Sequence, residues 1–328
     1  MTRISRRTVA AGLVFSGVAP TVRVSAQAPA AYPEKPIKLV VPFPPGGGAD
    51  FTGRLLAQKI GEGLHQTIIV DNKPGGATTI GSDAVAKATP DGYTLLLLLR
   101  DMALNPSLMT SLPYDTLKAF AWIGMVGEGP FVLVANPSFP GKSLSDLVAL
   151  AKAKPGTVSY GSLGLGGLAH ICVEAMALHL GINLLHVPYK GAGPALQAAV
   201  SGEVPVAVAA LTGAVPFVRE GRLRALVVGA EKRAAQLPDV PTISEAGGGN
   251  TLLPQYYALA APAGTPPPVI ERLNAELKRV LSLPDVAEKL IQNGIDPAYS
   301  SAEALGATID TDVAHFAKLV KAIGITPQ

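Results

Sequence analysis

Four times in this chain a short run of β-branched and apolar residues opens into a loop rich in glycine or proline and then into a helix. The openings follow Val41, Val70, Tyr160 and Val187. The first is the fullest: Val40-Val41-Pro42-Phe43-Pro44-Pro45-Gly46-Gly47-Gly48-Ala49-Asp50 leads into Phe51, Leu55, Leu56 and Ile60 at helical spacing. Strand, glycine loop and helix in succession form the unit of a parallel, helix-covered sheet, which confines the chain to the α/β class. Glycines ahead of a helix leave N–H groups that no side chain covers. With the positive end of the helix dipole, such an end attracts anions. Taken alone, the stretch reads equally well as a plain tight turn.

The first residues stand apart from this pattern. Met1 to Arg7 is basic, Val9 to Ala19 is a short apolar run, and Ala26-Gln27-Ala28 is a small-residue cleavage site, together an export signal over residues 1–28. Ser5-Arg6-Arg7 admits the twin-arginine route beside the general secretory one. Cleavage after Ala28 predicts a periplasmic location. It also removes Arg3, Arg6, Arg7 and Arg23 and no acid, so 27 basic residues become 27 − 4 = 23 against 24 acidic ones. The formal charge of +3 then falls to −1, and the electrostatic footprint of a nucleic-acid or membrane-surface partner disappears. Cys172 is the single cysteine, which excludes an internal disulfide, a cysteine zinc site and a lipid anchor at the cleavage point.

A highly apolar chain of 328 − 28 = 300 residues favours two packed lobes over one. Ile37–Val41, Thr67–Val70 and Tyr93–Leu99 read as strands of the first, and Phe131–Val134 as the strand that leaves it. Thr157–Tyr160, Leu184–Val187, Val204–Ala210 and Leu223–Val228 read as further strands, and Tyr256–Ala261 as the last. Ser143, with Asp146 behind it, reads as a helix cap. Helices are also predicted from the Pro266–Pro268 run through Leu281 and from Ser301 to about Ile323. The expected lobes are 33–128 with about 225–255, and 129–224 with about 256–328. In open α/β sheets ligands bind at the carboxyl ends of strands. The Gly46–Gly48 and Gly164–Gly167 helix ends are therefore expected on opposite walls of one cleft that closes by hinging.

Catalytic motifs fall short when counted. Gly161-Ser162-Leu163-Gly164 would need glycine where Tyr160 stands to form a nucleophile elbow, and no Asp–His pair is evident to activate Ser162. Gly164 to Ala169 matches a dinucleotide loop, yet His186-Val187-Pro188-Tyr189-Lys190 lacks the acid that would bind a ribose. Gly141-Lys142-Ser143 would need glycine at Asn136 to be a phosphate loop. His170, Cys172, Glu174, His179 and His186 do not make a metal set, and His170, just after the glycine loop, reads as a partner of loop or ligand. No catalysis, cofactor or metal is expected.

Several stretches together identify a family. They are Pro42 to Asp50, Asn72-Lys73-Pro74-Gly75-Gly76, Ala88-Thr89-Pro90-Asp91-Gly92-Tyr93-Thr94-Leu95 and Asn105-Pro106-Ser107-Leu108. To these are added His186 to Gly191, Gly221-Arg222-Leu223-Arg224-Ala225-Leu226, Leu237-Pro238-Asp239-Val240-Pro241-Thr242 and Ala261-Pro262-Ala263-Gly264-Thr265-Pro266. The chain resembles the Bug (TctC-like) extracytoplasmic solute receptors of tripartite tricarboxylate transporters. The resemblance implies a two-lobed periplasmic binding protein of the Venus-flytrap, type II-like kind, each lobe a mainly parallel sheet covered by helices. It implies capture of a small carboxylate, such as a di- or tricarboxylate, for a membrane permease; the apolar loop residues Phe43, Leu163, Leu165 and Met102 leave an aromatic acid open, and a sensor protein is the partner that a signalling role would add. It also implies that the loops at Pro42–Asp50 and Ser162–Gly167 hold a ligand carboxylate through backbone amides and water. A signalling receptor and an exported serine hydrolase are the alternative readings.

The ligand-contact candidates are Phe43, Pro44, Gly46, Gly47, Gly48 and Asp50, then Thr78, Arg100 and Met102. Ser162, Leu163, Gly164, Gly166, His170, Tyr189 and Thr212 complete the set. Two departures from the family pattern bear on the ligand. Arg100-Asp101-Met102 replaces small residues after the third strand, so Arg100 reads either as a second carboxylate contact or as half of an ion pair at the rim. Ala209-Ala210-Leu211-Thr212 stands where many relatives carry Asp or Asn, which argues against an amino-acid ligand.

Overall fold

The computed structural model describes residues 32–327; the export-signal reading lies outside them. β1 (Ile37–Val41) runs into α1 (Gly48–Leu64), followed by β2 (Ile68–Asn72), α2 (Thr79–Ala86), β3 (Thr94–Leu99) and α3 (Asp101–Leu108). The apolar run of β3 is buried from Leu95 to Leu99, as a strand covered on both faces must be. β4 (Phe120–Gly129) and β5 (Phe131–Ala135) are separated only by Pro130, which cannot extend a ladder. Next come α4 (Leu144–Ala153), β6 (Ser159–Ser162), α5 (Leu168–Leu180), β7 (Leu185–Pro188) and α6 (Ala192–Ser201). β8 (Val206–Ala210), α7 (Leu211–Arg219) and β9 (Arg224–Gly229) follow. The chain ends with β10 (Gln255–Pro262), α8 (Pro267–Leu281), α9 (Pro284–Gln292), β11 (Asp296–Pro297) and α10 (Ala302–Ala322). Ser143 caps α4 as expected, and Asp146 completes a capping box.

The strands form two sheets, of order β11-β4-β10-β3-β1-β2 and β7-β6-β8-β5-β9. Both are mixed. β1 pairs in parallel with β2 and β3, and β6 with β7 and β8, wherever a helix crosses over. The antiparallel partners are chiefly the strands that cross between sheets: β10 against β3 and β4, and β5 against β8 and β9. The two crossings lie side by side, since Gln255 pairs with Gly129 at one end and Phe131 with Gly229 at the other.

The expected split of the C-terminal part is reversed. β9, within the 225–255 stretch assigned to the first lobe, completes the second sheet, and β10, assigned to the second lobe, lies inside the first. Helices α8 and α10 pack on β4 of that same first sheet. Strand character was local and readable here. The choice of sheet was not, because it depends on pairing with strands far away in the chain, β3 and β4 for β10 and β5 for β9.

Candidate functional site: a cavity between two glycine-led helices

The two main loops are built alike. Gly46 and Gly166 take left-handed φ of +88° and +75°, each one residue ahead of a glycine N-cap, Gly47 or Gly167, that has no side-chain cap. Each loop glycine then donates its N–H to the side chain four residues on, at the third position of the helix. Gly46 N–H meets Asp50 Oδ2 at 2.9 Å, and Gly166 N–H meets His170 Nδ1 at 3.1 Å.

Asp50 is buried, and its Oδ2 also accepts from Arg54 Nε at 3.0 Å. The Arg54 hydrogen bond chiefly, with the Gly46 amide, holds its carboxyl at about 2 against the opposing effect of burial. Arg54 goes on to Asn72 Oδ1, and Asn72 Nδ2 donates to the Phe43 carbonyl at 3.1 Å, which fixes the first loop. In the other loop His170 Nδ1 accepts, so the imidazole is neutral with its proton on Nε2. Its ring stacks on His186 at 3.9 Å between centroids, and His186 stacks on Tyr160 in turn. Burial first and His186 second push His170 down to about 4. Behind it Tyr160 donates to Glu174 Oε1 at 2.6 Å.

Both loops face one cavity of about 480 Å³. Pro42, Phe43 and Pro44 wall one side; Leu163 to Gly167 and His170 wall the other. A turn containing Gly75, Ala77 and Thr78, one face of α3, and Ile325–Thr326 complete it. Gly75, Gly76, Ala77 and Thr78 all take positive φ, and for Ala77 and Thr78 that is strained. Asn105 Nδ2 holds the strained turn, donating to the Ala77 carbonyl at 2.8 Å. Among the described lining residues there is one carboxylate, Asp101, one imidazole, His170, and neither Lys nor Arg.

Asp101 bridges the two halves. Its Oδ1 accepts from Leu168 N–H, the first helical residue of α5, at 3.3 Å, and its Oδ2 accepts from Gln255 at the strand crossing. Gln255 is fixed in turn by the Arg100 N–H at 2.6 Å. Burial pushes the Asp101 carboxyl above the usual range, while the Gln255 and Leu168 N–H groups oppose that shift.

Of the expected contact residues, Phe43, Pro44, Thr78, Leu163, Gly164, Gly166 and His170 line this cavity. Gly46, Gly47 and Gly48 are exposed beside the loop and do not line it, and Asp50 braces the loop from within. Arg100 does not line this cavity, and of its two expected roles the structure has the ion pair, made with Asp312 and, at 3.9 Å, with the half-exposed Glu128. Its side chain is buried, pairs with Asp312 of α10 at 3.0 Å and lies 4.7 Å from the Tyr256 ring. Met102 turns into the core, one residue round the helix from Asp101. Ser162 is fully buried, and its Oγ lies 2.6 Å from His186 Nε2 and accepts the Gly164 N–H. A serine–histidine contact therefore exists, which spacing did not reveal. No substrate carbonyl can reach it, and the hydroxyl holds the loop. Tyr189 packs its ring over Gly161 and donates to Glu203 at 2.8 Å, away from the cavity. Thr212 abuts Gly294 instead.

Asp101, Asn105 and Leu108 were missed as cavity residues. They occupy one face of α3 at i, i+4 and i+7, a spacing that becomes a signal only once the helix is recognised. Pro106 inside the segment obscures it.

Two mixed, helix-flanked sheets joined by paired crossing strands, with a cavity walled by loops of both, define a two-lobed solute-binding protein. The chain belongs to the tripartite tricarboxylate transporter family receptors (TctC), whose model matches residues 52–325. This is a family of receptors and not of enzymes. The periplasmic binding protein BugD is 33% identical, with 90% of this chain and 100% of that one covered and a TM-score of 0.78. An R. palustris protein solved with adipate is 30% identical, covering 90% and 100%, at a TM-score of 0.81. MatC from Rhodopseudomonas palustris, solved with malate, is 30% identical, covering 88% and 100%, at 0.76.

Proposed function

We propose that this receptor captures a small organic acid in the cavity between its two glycine-led helices and delivers it, in the periplasm, to the membrane permease of a tripartite tricarboxylate transporter. The observation that carries the reading is a cavity walled by the Leu163–Gly167 loop that leads into α5 and by the Pro42–Pro44 segment ahead of α1, with no Lys or Arg among its described lining residues. An anion there meets loop N–H groups and the positive end of the α5 dipole, which hold a carboxylate without a salt bridge. Relatives solved with adipate and malate support the ligand class. The apolar side chains of Phe43, Leu163, Leu165 and Leu108 suit an aliphatic or aromatic body between polar ends.

Thermal unfolding with a panel of mono-, di- and tricarboxylates tests this. A ligand at a hundred times its Kd adds about 2.7 kcal/mol of stability. A ligand-free preparation, confirmed by native mass spectrometry, that no carboxylate stabilises would remove the assignment.

A further inference from the structure

Asp101 is the one carboxylate among the described residues of the cavity wall, and the two N–H groups that its oxygens accept favour the ionised form against the burial that opposes it. Both of its oxygens already accept N–H groups, from Leu168 of α5 and from Gln255. A carboxylate has about four acceptor positions, so two remain, and it has nothing to donate. The Leu168 N–H belongs to the same helix end that would otherwise be free to take a ligand anion. The protein's own carboxylate therefore occupies part of that seat.

A dicarboxylate placed here would bring a second negative charge near Asp101 with no lining cation to offset it. A ligand ending in a hydrogen-bond donor would meet an acceptor of the right charge.

We propose that Asp101 sets the ligand class: the receptor takes a monocarboxylate whose far end carries an ammonium or hydroxyl group, and discriminates against the dicarboxylate of equal length. This rests on the cavity being the carboxylate site. It also reverses the expectation drawn from Ala209, because the acid missing after β8 is supplied from α3 on the other sheet. Asn105 and Thr78, next to Asp101 on the wall, add neutral hydrogen-bonding groups and leave the charge balance unchanged.

The test is calorimetric titration of the full chain with two length-matched series. One is hexanoate, its ω-hydroxy and ω-amino derivatives and the six-carbon dicarboxylate adipate; the other is the corresponding butyrate set with the four-carbon dicarboxylate succinate. The wild type is expected to prefer the hydroxy or amino member of whichever series fits over the dicarboxylate by about tenfold or more. In Asp101→Asn that preference shrinks at least severalfold: the dicarboxylate gains affinity while the amino acid loses it. Asp101→Ser serves as the second variant should the first not fold, with unfolding curves checked for both. A dicarboxylate that binds tightest to wild type, or a ratio that neither variant changes, overturns the role of Asp101 and leaves carboxylate binding standing. Failure of every member to bind overturns this inference, and silence across the wider carboxylate panel as well removes the proposed function with it.

Discussion

The Gly166 amide donates to His170 Nδ1 at 3.1 Å, and this contact ties the second glycine loop to the helix that follows it. Its counterpart in the first sheet, Gly46 to Asp50 at 2.9 Å, has the same backbone geometry but ends on an anion. The two loops consequently respond differently to acid.

Protonating His170 at Nδ1 turns an acceptor into a donor facing the Gly166 N–H, beside a second imidazole, while Glu174 Oε1 lies 3.9 Å from the other ring nitrogen, Nε2. The folded-state value of about 4 lies below the ordinary 6.5, so the unfolded chain binds the proton more readily between the two. The stability due to neutral His170 is complete above about pH 6.5. It is lost as pH falls toward 4, with a change of up to about 3 kcal/mol over that window. Urea titrations across this window, paired with calorimetry, should show stability and affinity falling together. His170→Gln, which keeps an acceptor and does not titrate, should flatten both profiles.

Asp50 behaves in the opposite sense. Its carboxyl, held at about 2 against an ordinary 3.8, contributes stability that is fully present above about pH 4 and is lost as pH falls through 2. Asp50→Asn should therefore cost about 1–2 kcal/mol at neutral pH, the exposure of Arg54 to solvent reducing the effect. The first loop should loosen with it. Denaturant midpoints and the protease sensitivity of the Pro42–Gly48 segment check this; an unchanged midpoint would show that Arg54 and Asn72 hold the loop unaided.

The buried pair of Arg100 and Asp312 predicts a structural defect without a binding defect. Arg100→Ala leaves the buried Asp312 carboxylate without its guanidinium partner and should destabilise the fold by about 3–5 kcal/mol. Replacing both partners by Met and Leu should recover most of the loss. Ligand affinity per folded molecule should stay near the wild-type value in the double variant. A large loss of affinity there would return Arg100 to the ligand site.

Ala77 sits on the cavity wall with φ +49°. Ala77→Gly should relieve strain and stabilise the protein by up to about 1 kcal/mol. Asn105→Ala, which releases the Ala77 carbonyl, should act in the reverse direction by about 1–2 kcal/mol. Thermal unfolding of the two variants separates strain relief from lost hydrogen bonding.

Local chemistry was legible in the residues alone. Val40–Val41 before the Pro42–Gly48 loop, the helix spacing of Phe51 to Ile60, the Ser143 cap and the glycines at Gly46 and Gly166 all act within a few residues of themselves. Propensity, periodicity and φ preference report such features directly. What depends on contacts between distant stretches was not legible. β9 and β10 are both short apolar strands, and only pairing across the crossings assigns one to each sheet. Arg100 reached Asp312 over a separation of 212 residues, and Ser162 met His186 through parallel pairing of β6 and β7. Asp101 became a wall residue because Pro106 did not prevent a short helix from turning it toward α5. The sequence by itself determined the two glycine-led helix ends, since an uncovered N–H group is a local property of the backbone. The tertiary structure decided which carboxylate meets the second of them, since that depends on how one sheet's helix meets the other's.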